Sequence, residues 1–280
     1  MKTQGFKKKI KILYLIAFVY FSYATIGFSQ YTEIHCKHFI YGYPKGCPAT
    51  NDLIIRDIYA LSSNDSTKFA DWVAYRLDLK TITGPSQKER DWQADPWLDE
   101  WETLEPEDYK DASKAIGIDR GHQAPLADFK GSEYAYETNY LSNITPQNSN
   151  LNRGIWKNLE DYERKLTEKY GLIYVMTGPL YEKEMPKLPK ADEYHKVPSG
   201  YWKIIIIPYE QDIRNKSNLE IFGFIFNQNI PKNSALKDYL VSIDEIQRRS
   251  HLDFFWALDD KLEKSLESKV NPHFDIYFTP

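Results

Sequence analysis

Cysteine is nearly absent from this chain: only Cys36 and Cys47 occur in 280 residues. Two thiols alone cannot complete a four-ligand structural zinc site. The strings HExxH, GxGxxG, GxSxG and the P-loop are also missing, which removes the usual zinc-protease, dinucleotide-binding, serine-hydrolase and P-loop signatures. No segment repeats and no tract is of low complexity, so solenoids and wholesale disorder are excluded. Past residue 30 no apolar run approaches the roughly 20 residues a membrane helix needs.

Positive charge is scarce as well. Lys+Arg total 36 against 40 Asp+Glu, a net charge of −4. Lys2, Lys7, Lys8, Lys9 and Lys11 sit in the first 11 residues, ahead of an apolar stretch from Ile12 to Phe21. Gly27 and Ser29 then stand at the −3 and −1 positions of a cut before Gln30, the pattern of a secretory leader over residues 1–29. An uncleaved anchor is the alternative, but the dense apolar core is short for a span. Loss of the leader removes five lysines, leaving 31 basic against 40 acidic residues, or about −9 by charge counting. Any anionic partner would then meet a local basic patch in a repelling background. An exported protein meets oxidising conditions, so a disulfide closing the Cys36–Cys47 loop is expected; a metal pairing with His35 or His38 is the weaker alternative.

What is plentiful is apolar and aromatic residue, 42% and 15%, enough for a sizeable core. The runs "LIIRDIYALSS" from Leu53, "FADWVAYRLDL" from Phe69, "LIYVMTGPL", "YWKIIIIP" and "IFGFIF" from Ile221 predict strands. Residues 83–115 read as a long ordered loop whose tryptophans need somewhere to bury. A short strand is expected within "TNYLSNITPQ", 138–147. The clearest helix starts at Leu151, with Leu151, Ile155, Leu159, Tyr162 and Leu166 on one stripe. Two shorter helices are expected around Ser234–Arg249 and Asp259–Lys269. One α+β domain over residues 30–280 is the economical reading.

Two sets of polar residues stand out. In Asp119-Arg120-Gly121-His122, charged groups flank a glycine beside an imidazole, the side chain best matched to proton transfer near neutral pH. The plain alternative is a core histidine pinned by Asp119. Downstream lie Asn143, Asn152, Glu160 and Arg164. At about 100° per residue, Glu160 falls about 80° and Arg164 about 120° from Asn152, one broad side of a helix. An amide oxygen there can ligate a hard cation that keeps most of its waters. Taken singly, Asn152 is as readily a helix cap, and Glu160 with Arg164 an i,i+4 ion pair. His35, His38, His195, His251 and His273 acquire no role, and Asp128 reads as structural.

Together, "DRGHQAPLA", "NYLSNITPQ", "LNRGIW" and "LEDYERKL" resemble the DNA/RNA non-specific endonuclease family, the ββα-metal nucleases, in the same order and at the same spacing. "STKFADWVAYRL", "RDWQADP", "VMTGPLYEKEMPKLP", "PSGYWKIII" and "SIDEIQRRS" extend the likeness over nearly the whole mature chain. The resemblance implies a ββα-metal (His-Me finger) fold with a central antiparallel sheet, flanking helices and long loops. It implies hydrolysis of double- and single-stranded DNA and RNA to 5′-phosphorylated products with Mg²⁺, or Mn²⁺ in its place. Position by position, His122 matches the general base and Asn152 the direct metal ligand. Glu160 matches the acid that holds metal-bound water, and Arg90 and Arg164 the phosphate-stabilising arginines. Arg120 matches the arginine beside the base, and Asn143 an asparagine supporting the site. The pair Cys36–Cys47 resembles the family's N-terminal disulfide, while a C-terminal one seen in a close relative has no counterpart. A secreted or periplasmic protein free of the membrane is expected, as a monomer or a homodimer. A fold-retaining binding protein without activity and a small-nucleotide metallophosphodiesterase are the competing readings.

Overall fold

Among the described residues, seven strands form one antiparallel sheet in the order β1-β2-β3-β6-β7-β8-β9. They are β1 (Asp52–Ile55), β2 (Ala60–Asn64), β3 (Phe69–Asp78), β6 (Leu172–Leu180), β7 (Gly200–Pro208), β8 (Leu219–Asn227) and β9 (Leu240–Val241). A separate two-stranded ribbon pairs β4 (Ile118–His122) with β5 (Ile144–Asn148). The computed structural model describes residues 33–85, 90–208 and 219–279; the expected leader lies outside them. His35 onward forms one compact unit. Among the described residues no helix is long and apolar enough to cross a membrane.

β6 lies at the centre of the sheet with the β-branched run of β7 beside it, and all nine residues of each are buried. Burial at successive positions, rather than alternate ones, means that both sheet faces are covered. One face carries Val73, Tyr75, Val175, Ile205, Phe222 and Phe224, packed with Leu151, Ile155, Leu159 and Leu166 of the helical segment that follows β5. Against the other face lie rings from the ends of the unit: Phe39 and Tyr43 meet Trp72, and Phe254 meets Trp202. The fold is α+β, with the antiparallel sheet at its core.

Several local expectations shift. The run from Leu53 is a hairpin rather than one strand, turning at Arg56, whose N–H donates to the Tyr59 carbonyl at 2.8 Å. Segment 83–115 contains 3₁₀ turns at Glu100–Glu102 and Pro106–Tyr109 and a short helix, Ala112–Ile116. Its tryptophans do not all bury: Trp97 is 61% and Trp101 58% exposed. The C-terminal helices shorten to Ile243–Ser250 and Asp260–Glu267, each capped by an oxygen side chain, Ser242 or Asp259. Cys36 and Cys47 are free thiols rather than a disulfide. Cys47 instead shares a hydrogen bond with Asp71, and burial pushes its pKa up to about 12.

The helix expected from Leu151 is interrupted. A turn at Ser149–Leu151 leads into a π-helical turn, Asn152–Trp156, and only then the regular helix Lys157–Tyr170. Gly154 leaves helical geometry at φ −108°, ψ −113°. A Cβ there would stand 2.7 Å from the Lys232 carbonyl oxygen, so the crossing admits only glycine. Such bulges re-aim side chains at functional sites. This one alters the angular relation of Asn152 to Glu160 and Arg164 from that of an unbroken helix.

Candidate active site

β4, β5 and the broken helix present a cleft of about 570 Å³. Arg90, Arg120, His122, Asn152, Glu160 and Arg164 all line it. Asn143 does not; it is wholly buried behind the loop that follows His122. There it donates to the Ala124 and Thr138 carbonyls at 2.9 and 2.8 Å and accepts from the Ala124 N–H at 2.9 Å. Its contribution is to brace the turn that leaves β4.

Strand alternation places Arg120 and His122 on one side of β4 and Asp119 and Gly121 on the other. Gly121 leaves room for the buried Gln147 side chain of β5, whose oxygen would lie 2.3 Å from a Cβ and would have to move. The His122 ring packs on Trp92, centroids 5.2 Å apart. Its Nε2 lies 3.1 Å from Asn139 Oδ1. An amide oxygen facing Nε2 favours the tautomer with the proton there, which leaves Nδ1 its lone pair. Burial pushes the imidazole pKa down to about 4; the Asn139 bond opposes this and Arg90 adds to it. His122 is therefore neutral at ordinary pH, and Asp119 does not pin it.

Asp119 holds the opposite wall. Its carboxylate takes two hydrogen bonds from Arg153, at 2.7 and 2.6 Å, one from Ser149 at 2.9 Å and one from Asn152 Nδ2 at 3.1 Å. Burial alone would raise its pKa, but these donors hold it below the usual range. An anion at the NH₂ end of Asn152 orients that amide and leaves its carbonyl oxygen as the remaining polar atom. Asn152 is thus not the helix cap; Asn148 is, accepting from Asn150 N–H at 2.9 Å.

Glu160 does not pair with Arg164. Burial lifts its pKa to about 7, against the pull of Lys203 and with the push of Glu163. Arg164 is clamped by Asp128 and Asp161. Asp128, read as structural from sequence, is fully buried and carries one half of that clamp. Beneath it Lys203 and Glu163 form a buried ion pair at 2.7 Å, with Tyr75 donating to the same carboxylate at 2.7 Å. Arg120 lies over Trp92 and Tyr109, 5.6 and 5.4 Å from their centroids.

Around the cleft Arg90, Arg120, Arg153, Lys157 and Arg164 outnumber Asp119 and Glu160. The overall charge is negative, yet this mouth is basic, as a phosphate-binding surface in an acidic protein must be. Two hard oxygen donors, the Asn152 amide and the Glu160 carboxylate, suit a hydrated Mg²⁺ and not a soft metal. Trp92, Asn139 and Arg153 were not singled out from sequence. All three lie inside recognised strings, "RDWQADP", "NYLSNITPQ" and "LNRGIW", but their roles show only through their contacts, with His122 for Trp92 and Asn139 and with Asp119 for Arg153. Three other histidines have structural roles: His38 and His195 bond to backbone, and His273 to Glu220.

A profile of the DNA/RNA non-specific endonuclease family matches residues 40–261. The Serratia marcescens protein "Nuclease" is 44% identical over 229 residues, covering 80% of this chain and 84% of that protein. Human "Endonuclease G, mitochondrial" is 32% identical over 221 residues, 75% of this chain and 71% of that one. Among solved structures, a chain of an EndoG/EndoGI complex superposes with a TM-score of 0.66 at 24% identity, over 79% of this chain and 91% of that one.

Proposed function

The chain belongs to the DNA/RNA non-specific endonuclease family, and from that premise we propose that it is an exported, Mg²⁺-dependent endonuclease that cuts DNA and RNA without regard to sequence. The observation that carries the reading is the meeting of His122 and Asn152 in one basic cleft, on a ββα frame of β4, β5 and the helix beyond. Export rests on the leader pattern in residues 1–29.

Neutral His122 takes the proton of an attacking water at Nδ1 while Nε2 stays bonded to Asn139. Trp92 and Asn139 fix the ring between them, so little reorientation precedes proton transfer. Arg90, Arg120 and Arg164 oppose charge that grows on the phosphate. Asn152 would hold Mg²⁺ directly and Glu160 its hydration shell, the amide being aimed by Asp119. Mg²⁺ held there would supply Lewis-acid neutralisation of the charge that grows on the phosphate and its leaving group. Release on the 3′ side leaves 5′-phosphorylated products. Contacts centred on phosphate read no sequence, so breadth toward DNA and RNA follows.

The test is direct. Purified protein with Mg²⁺ should nick and linearise supercoiled plasmid and degrade RNA, and a chelator should stop both. A closed circle still intact after long incubation refutes an endonuclease and leaves a binding protein or a small-nucleotide enzyme.

A further inference from the structure

We propose that Trp97 and Tyr136 form a stacking platform for unpaired bases of the substrate strand beside the cleavage cleft. The proposal rests on the nuclease reading above and extends it to a second point of contact.

Tryptophan is a residue that folding usually covers, yet Trp97 is 61% exposed and Tyr136 48%. The Trp97 ring is nonetheless held in place. The Arg56 guanidinium lies 4.0 Å from its centroid and 4.6 Å from that of Tyr140, so the cation is shared by the two rings. Arg56 itself is fixed from below by Asp95 and by Glu137, the latter at 3.3 Å. Asp95 also accepts from the Trp97 N–H at 3.0 Å, which anchors the turn carrying the ring. Tyr136 meets Tyr140 edge to face at 6.1 Å, placing a second exposed ring beside the first group. The result is an aromatic surface ordered before any ligand arrives, the condition under which stacking contributes most.

Its position ties it to the reaction. Gln93 pairs with Tyr140, and the Leu141 N–H donates to the Gln93 carbonyl at 2.9 Å. The preceding residues of these two segments, Trp92 and Asn139, are the ones that hold His122. The two segments that hold His122 thus run directly on into the residues that carry the platform, which is what would bring a strand bound in the cleft to it.

The chemistry favours bases over phosphates. Arg56 is neutralised by two carboxylates, and Asp91, Asp99 and Glu100 flank the turn in sequence. Aromatic faces in such surroundings accept a nucleobase, and every base offers a π-face, so breadth of sequence is preserved. Trp101 is an internal contrast. It is 58% exposed, but its ring meets Lys68, 5.7 Å from the centroid, in place of the Arg56–Tyr140 group.

The experiment compares KM and kcat on a single-stranded dT homopolymer and on the same strand carrying stable abasic residues around the cut. Trp97→Ala should raise KM on dT about fivefold, with the smaller share of the effect in kcat. Tyr136→Ala should act in the same direction, Trp97→Phe should restore most of the loss, and Trp101→Ala should match wild type. The abasic strand, which loses both stacking contacts, should cost wild type at least what Trp97→Ala costs on dT. Unchanged KM in Trp97→Ala, or wild type that handles dT and abasic strands alike, overturns the platform while leaving the nuclease reading intact. Wild type that cuts no strand at all overturns both.

Discussion

Replacing Asp119 by asparagine removes one negative charge and little volume, and it separates metal holding from proton transfer. The Asp119 carboxylate organises Asn152, Arg153 and Ser149, while the His122 ring is held by Asn139 and Trp92. With an amide at 119, Asn152 Nδ2 loses its charged acceptor at 3.1 Å, and the two ends of the Asn152 amide become nearly equivalent in energy. Loss of a partner that orients a metal ligand costs about 10–100-fold in metal affinity, or about 1.4–2.8 kcal/mol. Lost pairing with Arg153 adds little to stability, since that side chain is 62% exposed and screened. The Mg²⁺ concentration giving half-maximal plasmid cleavage should therefore rise by about one to two decades, with most of kcat recovered at saturating Mg²⁺. A wild-type Mg²⁺ dependence in Asp119→Asn would refute the claim that this carboxylate aims the ligand. A kcat that stays collapsed at high Mg²⁺ would place Asp119 in the chemistry itself.

Other outcomes follow from the same geometry. His122→Ala should lower kcat by about 100-fold or more while leaving DNA binding intact by gel shift; wild-type turnover would remove the base assignment. Lys203→Met strands the Glu163 carboxylate in a site where both partners have 0% side-chain exposure, so unfolding free energy should fall by about 3–5 kcal/mol, readable by urea titration. Replacing Glu163 together with Lys203 by apolar residues should recover much of that loss, and failure to do so would argue against stranded charge as the cause. His38 gives a pH signature. Burial depresses its pKa from 6.5 to about 4, and its Nδ1 has no hydrogen-bond partner. A depressed folded-state value means the stabilisation is present above pH 6.5 and lost as pH falls toward 4. The gap amounts to about 3 kcal/mol. A His38→Asn protein should lose less stability than wild type between neutral pH and pH 4, as followed by thermal melts; parallel slopes would refute the assignment.

How far the site was legible depended on the kind of information each residue carries. His122, Asn152, Glu160, Arg164, Arg120 and Arg90 were found in local strings, and the structure gathers all six around one cleft. Asn143 was found too, but its role as a brace emerges only from its three backbone bonds. Asn139 and Trp92 lie within recognised strings, "NYLSNITPQ" and "RDWQADP", but nothing in the linear spacing marks them as the pair that holds the His122 ring. The exposed rings of Trp97 and Trp101 contradict the expectation of burial. The sequence could show that an aromatic residue wants cover, not that Arg56 would be offered to Trp97 in place of a core.

Composition and period were enough to establish an α+β chain, because burial patterns are written residue by residue along each strand and helix. Motif order was enough to place the chain in its family, because chemistry demands particular side chains. The tertiary structure alone decided which partner each charge took. Arg164 chose Asp128 and Asp161 over Glu160, Asp119 chose Asn152 and Arg153 over His122, and the helix broke at Gly154. Those choices rest on distances between segments far apart in the chain, and electrostatic pairing depends on such distances and on burial, neither of which a linear spacing encodes.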